Sequence, residues 1–144
     1  DAVVIAGMGG ASIRGILSRS SAVVSVLSRI VCQPMTGAAD LRRWLLANGW
    51  LIDAEELVRE DDRIYEIVAA IPGTATMPDE LLLEVGPVLW QKRHPLLAEH
   101  LDKLIQQYRL RVDAMQQSVD PSVLTQRLFW QQRLNRLEAM RECL

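Results

Sequence analysis

Neither sign of charge dominates this chain: sixteen basic and eighteen acidic residues leave a net charge of −2. Its overall balance therefore does not advertise a nucleic-acid ligand. No apolar run approaches the roughly 18 residues needed to cross a bilayer, and no basic-then-apolar leader opens the chain. Cysteine is scarce. Cys32 and Cys143 lie far apart, follow no metal-ligand spacing and provide no disulfide framework, so a reducing cytoplasm is the expected setting. Cys32 falls in an apolar run and reads as a small buried hydrophobe. The two histidines, His94 and His100, stand six apart, a poor spacing for a metal, and read as solvated residues of a helical arm. No Ser/His/Asp or Cys/His constellation can be assembled, no metal site is expected, and the absence of a Gly-Lys-Ser/Thr triplet excludes a P-loop.

What is present is enough apolar material, 49% of 144 residues, to bury a real core. The charge is also unevenly spread. Residues 1–52 carry a balance of +3, residues 53–90 of −8 and residues 91–144 of +3. The first stretch, Ala2-Val-Val-Ile-Ala6 followed by Gly7-Met8-Gly9-Gly10, reads as a strand, a tight turn and then a helix. A continuous apolar run rich in β-branched residues predicts a strand buried on both faces. In open α/β sheets ligands occupy the crevice beyond the carboxyl ends of the strands. Glycines there either permit a tight turn or let another molecule approach the backbone, and both readings stand for Gly7–Gly10. The dinucleotide pattern G-x-G-x-x-G/A fits poorly, because Ser12 occupies the last position and the first acid after the turn is Asp40.

The rest of the chain is punctuated clearly. A helix is expected from Ala11 to about Ser18, then a strand from Arg29 to Gln33 stopped by Pro34, which cannot donate to a ladder. Thr36-Gly37 opens a helix over Ala38–Ala47, with Leu41, Trp44 and Leu45 on one face and Asn48-Gly49 as its stop. Strands at Trp50–Val58 and Arg63–Ala70, joined by Asp61-Asp62, must pair antiparallel. The acids of this hairpin, between Asp53 and Asp62, read as solvated edge protection. Residues 1–73 thus form a layered α/β sheet, mostly parallel with a closing antiparallel hairpin. Residues 74–94 read as a linker containing the acidic, apolar segment Asp79–Val85. Residues 95–144 read as a helical hairpin. Leu101, Ile105, Tyr108, Val112, Met115 and Val119 repeat every four then three residues in its first helix. Asp120-Pro121 caps its second helix, which runs to Glu142 with Leu124, Leu128, Leu134 and Leu137 among its apolar positions.

Gln33 and Pro34 end a strand at the same sheet edge as the glycine turn. Gln33 suits either reading a polar substrate or capping. Arg42 and Arg43 stand just before Trp44 on the next helix, and one of them is expected to face outward, toward phosphate or solvent. Arg109 and Arg111 lie on the helical arm among several other arginines, a setting that suits RNA phosphate but is diluted by acids.

Taken together, Val4-Ile-Ala-Gly-Met-Gly-Gly10, Ile13–Leu17, Cys32-Gln-Pro34, Leu41-Arg-Arg-Trp-Leu45, Asn48-Gly-Trp50, Arg63-Ile-Tyr-Glu-Ile67 and Gly86-Pro87 resemble, in order and spacing, the bacterial tRNA adenine-22 N1-methyltransferase family. The resemblance implies the C-terminal half of a Rossmann-like, class I S-adenosylmethionine-dependent methyltransferase sheet, followed by a coiled-coil-like helical hairpin. It implies that Ala2–Ala6 corresponds to the fourth strand of such a domain and Arg29–Gln33 to the fifth, with the hairpin supplying the last pair. Gly7, Met8, Gly9, Gly10, Gln33 and Pro34 would face the cofactor methyl group and the target base. Arg42, Arg109 and Arg111 would be candidate tRNA contacts. The first three strands, with the cofactor loop, have no counterpart in the 144 residues. The chain is therefore expected to be a fragment that lacks most of the S-adenosylmethionine site and is able to self-associate through an exposed sheet edge. Adenine N1 bears a lone pair, so the reaction asks for orientation rather than a strong base. The alternative is a non-catalytic half-Rossmann module that uses the helical hairpin for protein assembly.

Overall fold

The opening apolar run forms β1, Ala2–Met8, and the glycine turn leads into α1, Gly10–Arg19, in a computed structural model that describes all of residues 1–144. A single turn, α2 (Ser21–Val24), precedes β2 (Arg29–Pro34), and α3 (Ala38–Ala47) follows. Gly37 and Gly49, on either side of α3, have φ of +66° and +82°, conformations that a side chain disfavours. The hairpin strands are β3 (Trp50–Glu60) and β4 (Arg63–Pro72). Strand order is β1-β2-β4-β3. β1 and β2 run parallel, an arrangement that the helical crossover between them permits, while β4 is antiparallel to both its neighbours. Three of the four strands thus share one direction and β4 opposes them, which gives the expected parallel strands with a closing antiparallel hairpin; because β4 inserts between β2 and β3, only β1 and β2 pair in parallel.

The core lies on one face of this sheet. Ile13 and Leu17 of α1 and Leu41 and Leu45 of α3 pack over Ile30, Cys32, Ile52, Val68 and Ala70. Val3 and Ile5 join this cluster from β1, whereas Val4 is 71% exposed. β1 is thus covered on one face only, not on both. It is an edge strand, and α1 and α3 lie on a single side of it.

A bulge in β3 carries a consequence for the acids. Trp50 and Ile52 point inward, the register shifts between Ile52 and Ala54, and Glu55 and Leu57 point inward thereafter. One extra residue inverts the alternation. Glu55 is consequently buried, not solvated on the edge.

The segment expected as a linker carries two short helices, α4 (Glu80–Val85) and α5 (Pro87–Gln91). Asp79 caps α4 by accepting from the Leu82 N–H, and Leu81, Leu83, Val85 and Leu89 are fully buried. The first compact unit accordingly extends from Asp1 to His94.

The second unit, Pro95–Leu144, is a pair of helices, α6 (Leu97–Met115) and α7 (Pro121–Glu142). They run antiparallel, with Arg109 facing Glu138 and Arg141 facing Asp102. Leu101, Ile105, Tyr108 and Val112 are buried along α6, but Val119 lies beyond its end and is 91% exposed. On α7 the inward stripe passes through Trp130, Leu134 and Leu137, which leaves Leu124 and Leu128 exposed. Asp120 accepts from the Ser122 N–H, and this bond holds its carboxyl below the usual range.

Candidate functional site

The glycine turn and the end of β2 form one laced structure. Gly7 is a bulge in β1: Ala6 pairs with Gln33 and Met8 with Pro34, leaving Gly7 unpaired at φ +73°. Its N–H donates to Gln33 Oε1 at 2.8 Å, so the side chain of one strand satisfies the backbone that the bulge frees. The Met35 N–H donates to the Met8 carbonyl at 2.8 Å, and the Gly10 N–H to the Thr36 carbonyl at 2.7 Å. Gln33 Nε2 lies 3.3 Å from Met35 Sδ. A Cβ on Gly10 would overlap the Gly37 carbonyl, standing 2.8 Å from its carbon. The start of α1 and the start of α3 can approach this closely only because position 10 is glycine, while at Gly37 it is the backbone φ of +66° that favours glycine. A Cβ on Gly7, by contrast, would meet nothing within 4 Å. The bare backbone of Gly7 is thus open to an approaching molecule.

The structure therefore brings together Gly7, Met8, Gly9, Gly10, Gln33 and Pro34. Met35, Thr36 and Gly37 complete the cluster. Of these, Thr36 and Gly37 read in the sequence only as a helix opening, and the usable signal is a further glycine three residues beyond the strand-ending Pro34. None of these side chains ionises between pH 3 and 9 by its ordinary chemistry, so the cluster is suited to shape a pocket and orient a ligand rather than to move protons.

Arg42 is not at a surface. Its side chain is fully buried, with Nε 2.6 Å from Glu55 and Nη2 2.6 Å from Glu66, and it donates to the Leu83 carbonyl at 2.7 Å. Burial alone would lower its pKa, but the Glu66 and Glu55 carboxylates outweigh that and hold it above the usual arginine value. Glu55 also accepts from the N–H groups of Val88 and Leu89. The expected phosphate contact is instead the hub that fastens α4 and α5 to the hairpin. Arg43 does face outward, where it pairs with Glu80 and Asp40.

The histidines are also not solvated. His94 belongs to the first unit, where its Nε2 lies 2.9 Å from Glu56 and 3.4 Å from the Leu57 N–H, and His100 is only 5% exposed. Hydrogen bonds from Lys92, then His94, hold Glu56 below the usual carboxylate range. Cys32 is buried, and burial pushes its thiol up to about 11. No three His, Cys, Asp or Glu side chains gather in an arrangement that would hold a metal. A cavity of about 450 Å³ lies at the other end of the sheet, between Leu17, Val24, Leu27, Trp44 and Trp50, away from the glycine turn.

In the second unit, Arg109 is exposed but bound to Glu138, whereas Arg111 stands over the Trp130 ring, 4.3 Å from its centre.

A parallel strand pair with an open turn at its carboxyl ends, closed by an antiparallel hairpin and followed in the chain by paired helices, defines a Rossmann-like α/β protein. The family model for tRNA (adenine(22)-N(1))-methyltransferase matches residues 1–139, and the chain belongs to that family. The Bacillus subtilis tRNA (adenine(22)-N(1))-methyltransferase is 27% identical over 149 aligned positions that include all of this chain and 62% of the relative. The crystal structure of the B. subtilis M1A22 tRNA methyltransferase TrmK shares the fold, with a TM-score of 0.86 at 23% identity over 98% of this chain and 63% of that one. So does a Streptococcus pneumoniae structure in complex with S-adenosyl-L-methionine, with a TM-score of 0.82 at 23% identity over 97% of this chain and 59% of that one. The chain spans about three fifths of the length of these relatives.

Proposed function

We propose that this chain is the substrate-facing part of an enzyme that transfers the methyl group of S-adenosylmethionine to N1 of an adenine in tRNA. The observation that carries the reading is the open Gly7 backbone, fixed by the Gln33 Oε1 bond at the carboxyl ends of two parallel strands. A methyl group and a purine edge must meet closely there, and a bulged glycine with no atom within 4 Å of its Cβ position admits both. The cofactor would supply an electrophilic methyl; the residues of this chain hold the turn and orient the base. Gln33 sets the position of Gly7, while Met8 and Pro34 complete the wall. Because N1 lies on the Watson–Crick edge, the adenine must be unpaired or extruded to reach the turn.

In this reading the remaining grip on the cofactor comes from sequence outside these 144 residues. Arg111 offers a phosphate contact on the helical hairpin, which acts as a short coiled coil. Two free thiols suit a reducing cytoplasm. The unpaired edge of β1 gives the chain a route to self-association.

The test is a chimera in which this chain replaces the matching 62% of the B. subtilis relative. Digested tRNA from such a reaction should contain N1-methyladenosine by mass spectrometry. Gln33→Leu, which leaves the Gly7 N–H without its acceptor, should lower methyl transfer at unchanged S-adenosylmethionine affinity. A folded chimera that binds the cofactor yet methylates no tRNA would remove this function.

A further inference from the structure

The helical hairpin carries an aromatic cluster for which the glycine-turn site has no use. On α7 the Phe129 ring meets Trp130 edge-on, with centroids 5.2 Å apart, and Trp130 lies 5.3 Å from Tyr108 of α6. Tyr108 is buried, but Phe129 keeps 51% of its surface exposed. Arg111 stands over Trp130, and Arg133 lies 5.2 Å from the centre of Phe129 and 5.7 Å from that of Trp130. Neither arginine has a carboxylate partner, in contrast to Arg109 and Arg141 on the same two helices. One unneutralised guanidinium group, Arg133, is therefore held beside the exposed Phe129 ring, and a second, Arg111, over the neighbouring Trp130.

We propose that Phe129 and Trp130, flanked by Arg111 and Arg133, form a stacking platform for an unpaired base of RNA. The guanidinium groups meet the phosphates on either side of that base. An aromatic face binds any base by stacking, and an arginine plane adds both stacking and charge. A single-stranded polyanion uses both features at once, whereas an acidic protein segment would engage the cations and leave the ring wet. The proposal rests on the tRNA reading above and adds where the hairpin holds the substrate.

The experiment measures binding of the 144-residue chain to an unmodified tRNA transcript, and to a fully paired RNA duplex of equal length, across a salt series. Phe129→Ala should weaken tRNA binding by about 5- to 150-fold, the range for losing one stacked base. It should leave duplex binding and the salt slope unchanged, and Phe129→Trp should restore tRNA affinity. Arg133→Gln should weaken both RNAs and flatten the log–log salt slope by roughly 0.7–0.9. Unchanged tRNA affinity in Phe129→Ala overturns the platform and leaves the tRNA reading standing. Equal losses on tRNA and duplex overturn it too, since the ring would then serve packing. If the parent chain binds no tRNA while capturing an acidic protein, both the platform and the tRNA reading of this chain fail.

Discussion

Replacing Arg42 with methionine tests whether this arginine is a buried hub or an RNA contact. The side chains of Arg42 and Glu55 have no exposed surface, and that of Glu66 is 21% exposed. Methionine fills the aliphatic part of the space but leaves Glu55 without its cation and the Leu83 carbonyl without its donor. Removing one member of a buried pair costs about 3–5 kcal/mol. Glu55 keeps the Val88 and Leu89 N–H groups at 2.7 and 3.2 Å, and Glu66 can reach water, so the loss falls toward the lower end, about 3–4 kcal/mol. For a unit of this size that corresponds to roughly 12–30 °C in melting temperature. The assay is urea unfolding followed by tryptophan fluorescence, since Trp44, Trp50 and Trp90 all lie in the first unit. The transition should move to lower urea at unchanged slope. Under conditions where the variant is still folded, tRNA affinity and its salt dependence should match the parent. A stability loss below about 1 kcal/mol, the value of an exposed pair, would refute the hub. So would a weakened tRNA complex with a flattened salt slope.

Two further outcomes follow from the same geometry. Gly10→Ala places a methyl group against the Gly37 carbonyl and should cost about 1–3 kcal/mol by forcing α1 and α3 apart; unchanged denaturant stability would show that the turn yields freely. Cys32 should be silent to a thiol reagent at neutral pH, so the native chain should release one equivalent, from Cys143, and a second only on unfolding. Its folded-state pKa is raised from 9.0 to about 11, so the neutral thiol's contribution to stability is fully present below pH 9 and is lost as pH rises toward 11. Two equivalents released at the native rate would contradict that burial.

How far the sequence was legible depended on whether a residue's role was local. The bounds of α3 and α7 follow from signals within a few residues: Gly37 and Asn48-Gly49 for one, Asp120-Pro121 for the other. The glycine turn was legible for the same reason, since a bulge at φ +73° selects glycine at the position itself. Arg42 and Arg43 show where local reading stops. Adjacent arginines on one helix are equivalent in composition and differ only in which face turns inward, and that face is defined by Glu55 thirteen residues on. Glu55 points inward only because the β3 bulge inverts the alternation that begins at Trp50, and a strict period of two counted from Trp50 puts it in solvent. The same kind of one-position error occurs on α7, where Leu124 and Leu128 attract attention as apolar residues although the buried stripe runs through Trp130, Leu134 and Leu137. Once the stripe is drawn correctly, Phe129 falls beside it rather than on it. A phenylalanine that borders a helix seam, stays half exposed and sits beside an unpaired arginine is not needed to close the hairpin. That surplus is why the ring is read as a contact surface and not as part of the core.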